Sequence, residues 1–164
     1  MTQTPPPLSP SQLAAYFAFT EVGSLVRHAV EKQLREAGDL SYVQFQLLAT
    51  LGDAPDGVRR MTDLADGLVY SRSGLTYQAQ LLEKRGLVTR SPSPDDERST
   101  LVTLTADGRA ILGEVFPGHI DAVRTLLFAA LSDDDVEDLA RIMGKAAGQL
   151  RSAPPRSASP RRRK

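Results

Sequence analysis

The chain has 164 residues, of which 41% are apolar and 24% charged, with 20 basic against 20 acidic side chains and no cysteine. That size and balance describe one soluble globular domain, and the missing thiols exclude disulfides, cysteine-ligated zinc and a cysteine redox switch. No apolar run approaches the ~18 residues of a membrane span, and the opening MTQTPPPLSPSQ lacks the basic region and apolar stretch of a secretion signal, so a cytoplasmic protein is expected.

The balanced charge hides an asymmetry. Arg151, Arg156, Arg161, Arg162, Arg163 and Lys164 crowd the last fourteen residues without an acid, which leaves residues 1–150 with 14 basic and 20 acidic side chains. A body of net negative charge reaches a polyanion only through a local basic surface or through this tail.

Residues 1–8 are Pro-rich and expected to be disordered. A first helix is predicted from Ser9 or Ser11, either of which can cap it, with Pro10 tolerated in the first turn. Phe19, Val22, Val26, Ala29 and Val30 fall on one face of it, and Gly38 ends it. Ser41 caps a second helix that stops at Gly52, and DAPDG (Asp53 to Gly57) is a turn cluster. Val58 to Arg60 reads as a short strand.

A third helix covers Thr62 to Leu68, and Ser71 caps a fourth that runs to Gly86. Only Val69 and Tyr70 separate the two, so they must turn hard against each other. Leu75, Ala79 and Leu82 form the inward stripe of the fourth helix, and Arg72, Ser73, Thr76, Tyr77 and Gln80 share its other side. LVTRSPSPDDERSTLVTLT then reads as two strands around a charged tip, with Leu101, Val102 and Leu104 marking the second. Thr105 caps a long helix from Ala106 to about Leu131, with a kink expected at Pro117. Ser132 caps the last helix, whose first turn holds Asp133, Asp134 and Asp135 where the macrodipole favours acids. Val136, Leu139, Met143, Ala146 and Leu150 follow at coiled-coil spacing, a seam that wants another long helix. Residues 152–164 hold three prolines and no large apolar side chain, and disorder is expected there.

Two short helices joined by a tight turn and followed by a two-stranded wing form a winged helix-turn-helix, which offers its second helix to the DNA major groove. The fold class is therefore mainly α with a small β wing. Residues 9–151 make one domain, with a winged helix over about 41–105 and long terminal dimerisation helices over about 9–37 and 106–151. In the fourth helix, Ser73 and Thr76 are small donors near the N-terminus, Gln80 can bond adenine bidentately, and Arg72 can pair with guanine or phosphate. The plain alternative is an amphipathic helix with a solvated outer face. In the wing, Arg90 and Arg98 suit a narrow minor groove, and an acid of the Asp95-Asp96-Glu97 run is expected to hold one of them in place. Simple surface charge is the other reading of these arginines.

Three consecutive acids lack calcium-loop spacing, and His28 and His119 are isolated, so no metal or other cofactor is expected. Tyr16, Phe17, Phe19, Tyr42 and Phe45 read as core or interface residues, although their concentration in the first two helices also suits a pocket for a small aromatic effector. No Gly-rich phosphate loop, nucleophile elbow or His-x-x-x-His pair supports an enzyme.

The segment from Leu64 to Leu112 resembles the MarR family of bacterial transcription regulators. The matches are Leu64-Ala65, Ser71, Ser73, Thr76, Leu82-Glu83, Gly86-Leu87-Val88, Arg90, Asp96-Glu97-Arg98, and Leu104-Thr105 with Gly108. The resemblance implies a homodimer built on the first, fifth and sixth helices, two winged-helix lobes on a pseudo-palindromic operator, and DNA release by a small, often phenolic, molecule. It places Ser73, Thr76, Tyr77 and Gln80 in the major groove and Arg98 in the minor groove, with Asp96 as its orienting acid. Tyr77 stands where the family usually has arginine, and Gln78 and Leu81 exchange a polar and an apolar position. Either a rotated recognition helix or a different base sequence follows. The leading expectation is a ligand-released repressor of double-stranded DNA. The alternatives are an architectural DNA-binding protein without a ligand, and an enzyme or carrier on a borrowed fold.

Overall fold

The structure, a computed structural model, describes residues 6–68, 70–94 and 96–152, with the backbone alone at Glu97 and Arg98. The expectations of disorder for residues 1–5 and 153–164 lie outside the described residues. Pro6 to Leu8 are exposed and carry no regular structure.

Helix α1 (Pro10–Gly38) starts at Ser9 rather than Ser11: the Ser9 hydroxyl accepts from the Gln12 amide, and the Gln12 side chain accepts from the Ser9 amide. This reciprocal pair satisfies two donors that a helix start leaves open. The left-handed terminator is Asp39 (φ 49°), not Gly38. Gly38 is small for another reason: a Cβ there would lie 2.6 Å from Val115 Cγ1 on a later helix. Of the predicted apolar face, Val30 is buried and Val26 and Ala29 half-buried, but Phe19 and Val22 are exposed. Periodicity selects a face; it does not say what covers it.

Helix α2 (Tyr42–Gly52) has the same capping pair between Ser41 and Gln44, and buries Phe45, Leu47, Leu48 and Leu51. Strand β1 (Val58–Arg60) leads into α3 (Met61–Gly67), whose first residue, Met61, is buried. Helix α4 (Arg72–Lys84) follows, then β2 (Val88–Ser93) and β3 (Asp96–Leu104). The antiparallel sheet has the order β1-β3-β2, with Val58 opposite Thr103 and Val88 opposite Leu104. The predicted pairing of Val58–Arg60 with the wing is therefore present. Pro92 lies on edge strand β2, where a missing N–H costs no ladder bond on the open side.

Helix α5 (Ala106–Val123) is capped by Thr105. It continues through Pro117, and a π-helical turn follows over Arg124–Phe128. Helix α6 (Asp133–Arg151) opens with Ser132 and Asp135 as a capping pair, and those Ser132 hydrogen bonds lower the Asp135 pKa.

Residues of α1, α2, α3, α4, the sheet and Val115 of α5 share one apolar core. Helix α6 does not join it: none of its residues is buried, and Ile142, Met143 and Leu150 stand exposed. Of its predicted seam, Val136 and Leu139 are half-buried, whereas Met143, Ala146 and Leu150 are exposed. The N-terminal half of α1 is in the same condition, with Tyr16, Phe17 and Phe19 exposed.

Candidate nucleic-acid interface

Helix α4 is set by three local choices. The Ser71 hydroxyl accepts from the Gly74 amide at 3.2 Å and closes the first turn. Gly74 lacks a side chain where a Cβ would press within 2.9 Å of the Tyr70 ring. Tyr70 itself donates its amide to the Ala65 carbonyl, which anchors the turn to α3. At the far end Gly86 takes the left-handed conformation (φ 73°), and the chain reverses into the wing.

With Leu75, Ala79 and Leu82 fully buried, helical geometry turns Arg72, Ser73, Tyr77 and Gln80 outward, and all four are exposed. Tyr77 is 58% exposed, a large aromatic side chain with no core to fill. Thr76 is half-buried, and its hydroxyl donates to the Arg72 carbonyl at 2.7 Å. That proton is therefore directed into the helix, away from a bound base. Gln78 and Leu81 are two positions at which α4 departs from the family pattern. Both are half-buried, and Gln78 Oε1 is inaccessible without a hydrogen-bond partner in the structure.

The wing is the β2–β3 hairpin. Arg90 turns back toward the helix: its amide and Nε donate to the Glu83 carboxylate at 3.1 and 2.8 Å, and its Nη2 forms an ion pair with the same carboxylate at 2.8 Å. It thus joins the end of α4 to β2. Asp96 opens β3 and is exposed. The expectation that Asp96 orients Arg98 lies outside the described side chains, because Arg98 is placed by its backbone alone. Arg59 and Arg60 of β1 were not singled out from the sequence, yet β3 brings them beside the wing, and Arg60 Nη1 donates to Ser99 Oγ at 3.4 Å. Two adjacent arginines in a predicted strand were the available signal.

A second feature lies between the elements. A cleft of about 920 Å³ opens between α1, the end of α5 and α6, lined by Phe19, Val26, Tyr42, Val123, Leu139 and Met143, with Arg27 and His119 as its charged or titratable groups. Arg27 stacks 5.0 Å over the Tyr42 ring and donates to Glu31 at 3.2 Å. His119 packs 4.5 Å from the Phe45 ring, its Nδ1 is buried without a hydrogen-bond partner in the structure, and burial lowers its pKa. Of the sequence's aromatic candidates, Phe19 and Tyr42 line the cleft, Phe45 lies in the core, and Tyr16 and Phe17 do neither. His28 is exposed on α1. Among the described residues no group of His, Asp and Glu could hold a metal, and no helix is long and apolar enough to cross a membrane.

The sequence model of the MarR family matches residues 38–99. The transcriptional regulator MhqR of Bacillus subtilis (strain 168) is 28% identical over 96 residues, 58% of this chain, and the chain spans 62% of MhqR's own length. Sco3205 of Streptomyces coelicolor, a MarR family transcriptional regulator solved in complex with DNA, superposes with a TM-score of 0.85. It is 31% identical over 93% of this chain and 94% of its own. CouR of Rhodococcus jostii RHA1, solved bound to p-coumaroyl-CoA, superposes with a TM-score of 0.70 at 25% identity, over 81% and 91% of the two chains.

Proposed function

The chain belongs to the MarR family of DNA-binding transcription regulators, and we propose that it works as a homodimeric repressor released by a small aromatic molecule. The observation that carries this reading is the exposed polar face of α4, flanked by a wing, on a body whose α1 and α6 leave apolar faces open. Ser73, Tyr77 and Gln80 read base edges in the major groove, Thr76 offers its methyl there, and Arg72 meets phosphate or guanine. Arg98 enters the flanking minor groove with Asp96 beside it, while Arg90 holds the wing to the helix. A second copy of the chain covers the α1 and α6 faces, and two-fold symmetry then calls for a pseudo-palindromic operator. DNA as the partner implies a cytoplasmic location. The cleft, apolar with Arg27 and His119 at its wall, takes the effector; the CouR complex makes p-coumaroyl-CoA the natural first probe.

The test begins by selecting duplexes from a random pool with the full chain. The selected site should bind at least ~10³-fold tighter than a scrambled duplex at the same salt. Equal affinity for both would overturn sequence-specific reading in favour of architectural binding. Sedimentation at micromolar concentration should give a dimer, and a monomer would overturn the assembly. A panel of hydroxybenzoates with p-coumaroyl-CoA should include a compound that releases the selected duplex; none doing so would remove the effector from the proposal.

A further inference from the structure

At the junction between α1 and α4, one side chain bridges the two. Arg85 terminates α4, and its guanidinium reaches across 46 residues of sequence to the end of α1. Nη1 donates to the Asp39 carbonyl at 2.6 Å and Nη2 to the Gly38 carbonyl at 2.9 Å. These are carbonyls of the last turn and cap of α1, where a helix lacks internal donors and its dipole is negative. The planar fork of arginine suits two adjacent acceptors, which a single ammonium matches less well. The α1 end is itself fixed, because Gly38 lies directly against Val115 and Ile111 of α5. Helix α1 also packs on α2, and α2 on α4, while this guanidinium joins the end of α1 directly to the end of α4.

We propose that Arg85 is a positioning residue for DNA binding: it locks the groove-reading helix to the end of the dimerisation helix. In a dimer it thereby fixes the distance and angle between the two α4 helices. The inference rests on the reading of α4 as the groove-reading helix of a dimer. Phosphate contact is the competing role for an exposed arginine at this end of α4, and the two separate cleanly. A phosphate contact releases counterions and sets a salt slope; a positioning tie sets a distance distribution.

The chain has no cysteine, so spin labels go only where cysteine is introduced. Full-length Glu36→Cys/Gln80→Cys, doubly labelled and diluted into unlabelled protein, reports the α1–α4 distance within one protomer. Removing the tie by Arg85→Ala should broaden that distribution about twofold, as expected when a rigid-body contact becomes a hinge, with Arg85→Lys intermediate. Unlabelled Arg85→Ala should bind the selected duplex about tenfold more weakly, the size of one charge-assisted hydrogen bond, with an unchanged slope of log affinity against log salt. An unchanged distribution overturns the proposal, and so does a slope lowered by ~0.9, which assigns Arg85 to phosphate. If Arg85→Ala does not fold, Arg85→Lys against the wild type decides by the same width. Gln80→Cys alone reports between protomers: absence of a dipolar signal there refutes the dimer, while the intra-protomer pair still decides the role of Arg85.

Discussion

Glu83 and Arg90 offer the sharpest test of how the wing is held. One carboxylate accepts two hydrogen bonds and one further ion-pair contact from a residue on another element, and the side chains are 35% and 24% exposed. A fully exposed pair is worth about 0–1 kcal/mol, and a hydrogen bond to a buried charge about 1.5–3 kcal/mol. With roughly a third of the pair still in contact with solvent, a coupling energy of about 1–2 kcal/mol is expected. The assay is a double-mutant cycle by urea denaturation over wild type, Glu83→Ala, Arg90→Ala and the double variant, at one protomer concentration so that assembly does not shift the midpoints. The same proteins are then titrated with the selected duplex across a salt series. If Arg90 acts through Glu83, both single variants lose similar affinity and keep the wild-type slope. A coupling energy below ~0.3 kcal/mol, together with a slope lowered by ~0.9 in Arg90→Ala alone, would refute the clamp and return Arg90 to the phosphates.

Gln80→Ala should cost about 1–3 kcal/mol on the selected duplex and little on random DNA, whereas Thr76→Val, which keeps the methyl and loses only the hydroxyl bonded to Arg72, should bind nearly as wild type; competition binding measures both. Met143→Asp places a charge on the exposed α6 face and should give a folded monomer by sedimentation and circular dichroism, with weakened DNA binding. Burial holds His119 below its ordinary 6.5, so the unfolded chain binds the extra proton first and stability is lost as pH falls below about 6.5. Urea midpoints should drop between about pH 7.5 and 5.5, and a drop equally large in His119→Phe would remove His119 as the cause.

The elements that the sequence made legible are those fixed by short-range chemistry. Ser41, Ser71, Thr105 and Ser132 each announce a helix because a small oxygen acceptor precedes an apolar period, and each caps as expected. The inward stripe Leu75, Ala79, Leu82 fixes the outward face by subtraction, which is why Ser73, Tyr77 and Gln80 could be named beforehand. What escaped depends on neighbours distant in sequence. Gly38 looked like a terminator but is small because Val115 lies against it, and Asp39 takes the left-handed role. The π turn at Arg124–Phe128 has no signal in the local sequence. Glu83 was read as part of a family motif, and nothing in its helix phase says that a strand arginine will occupy it.

The same long-range pairing changes the electrostatics of recognition. From Arg72 to Ser93 the chain holds Arg72, Lys84, Arg85 and Arg90 against Glu83 alone, while α6 holds five acids against three bases. Helix α4 and strand β2 therefore carry net positive charge on a body that is negative overall, while the next residues add Asp95, Asp96 and Glu97 against Arg98; a local patch of this kind orients approach to a polyanion more than it adds affinity. Two of those four cations are already committed, Arg90 to Glu83 and Arg85 to the α1 carbonyls. Arg72 and Lys84 remain on α4 for phosphates. Under the proposed reading of α4, discrimination between sites rests on the exposed face of Ser73, Tyr77 and Gln80, and on how rigidly the two arginine ties hold that face.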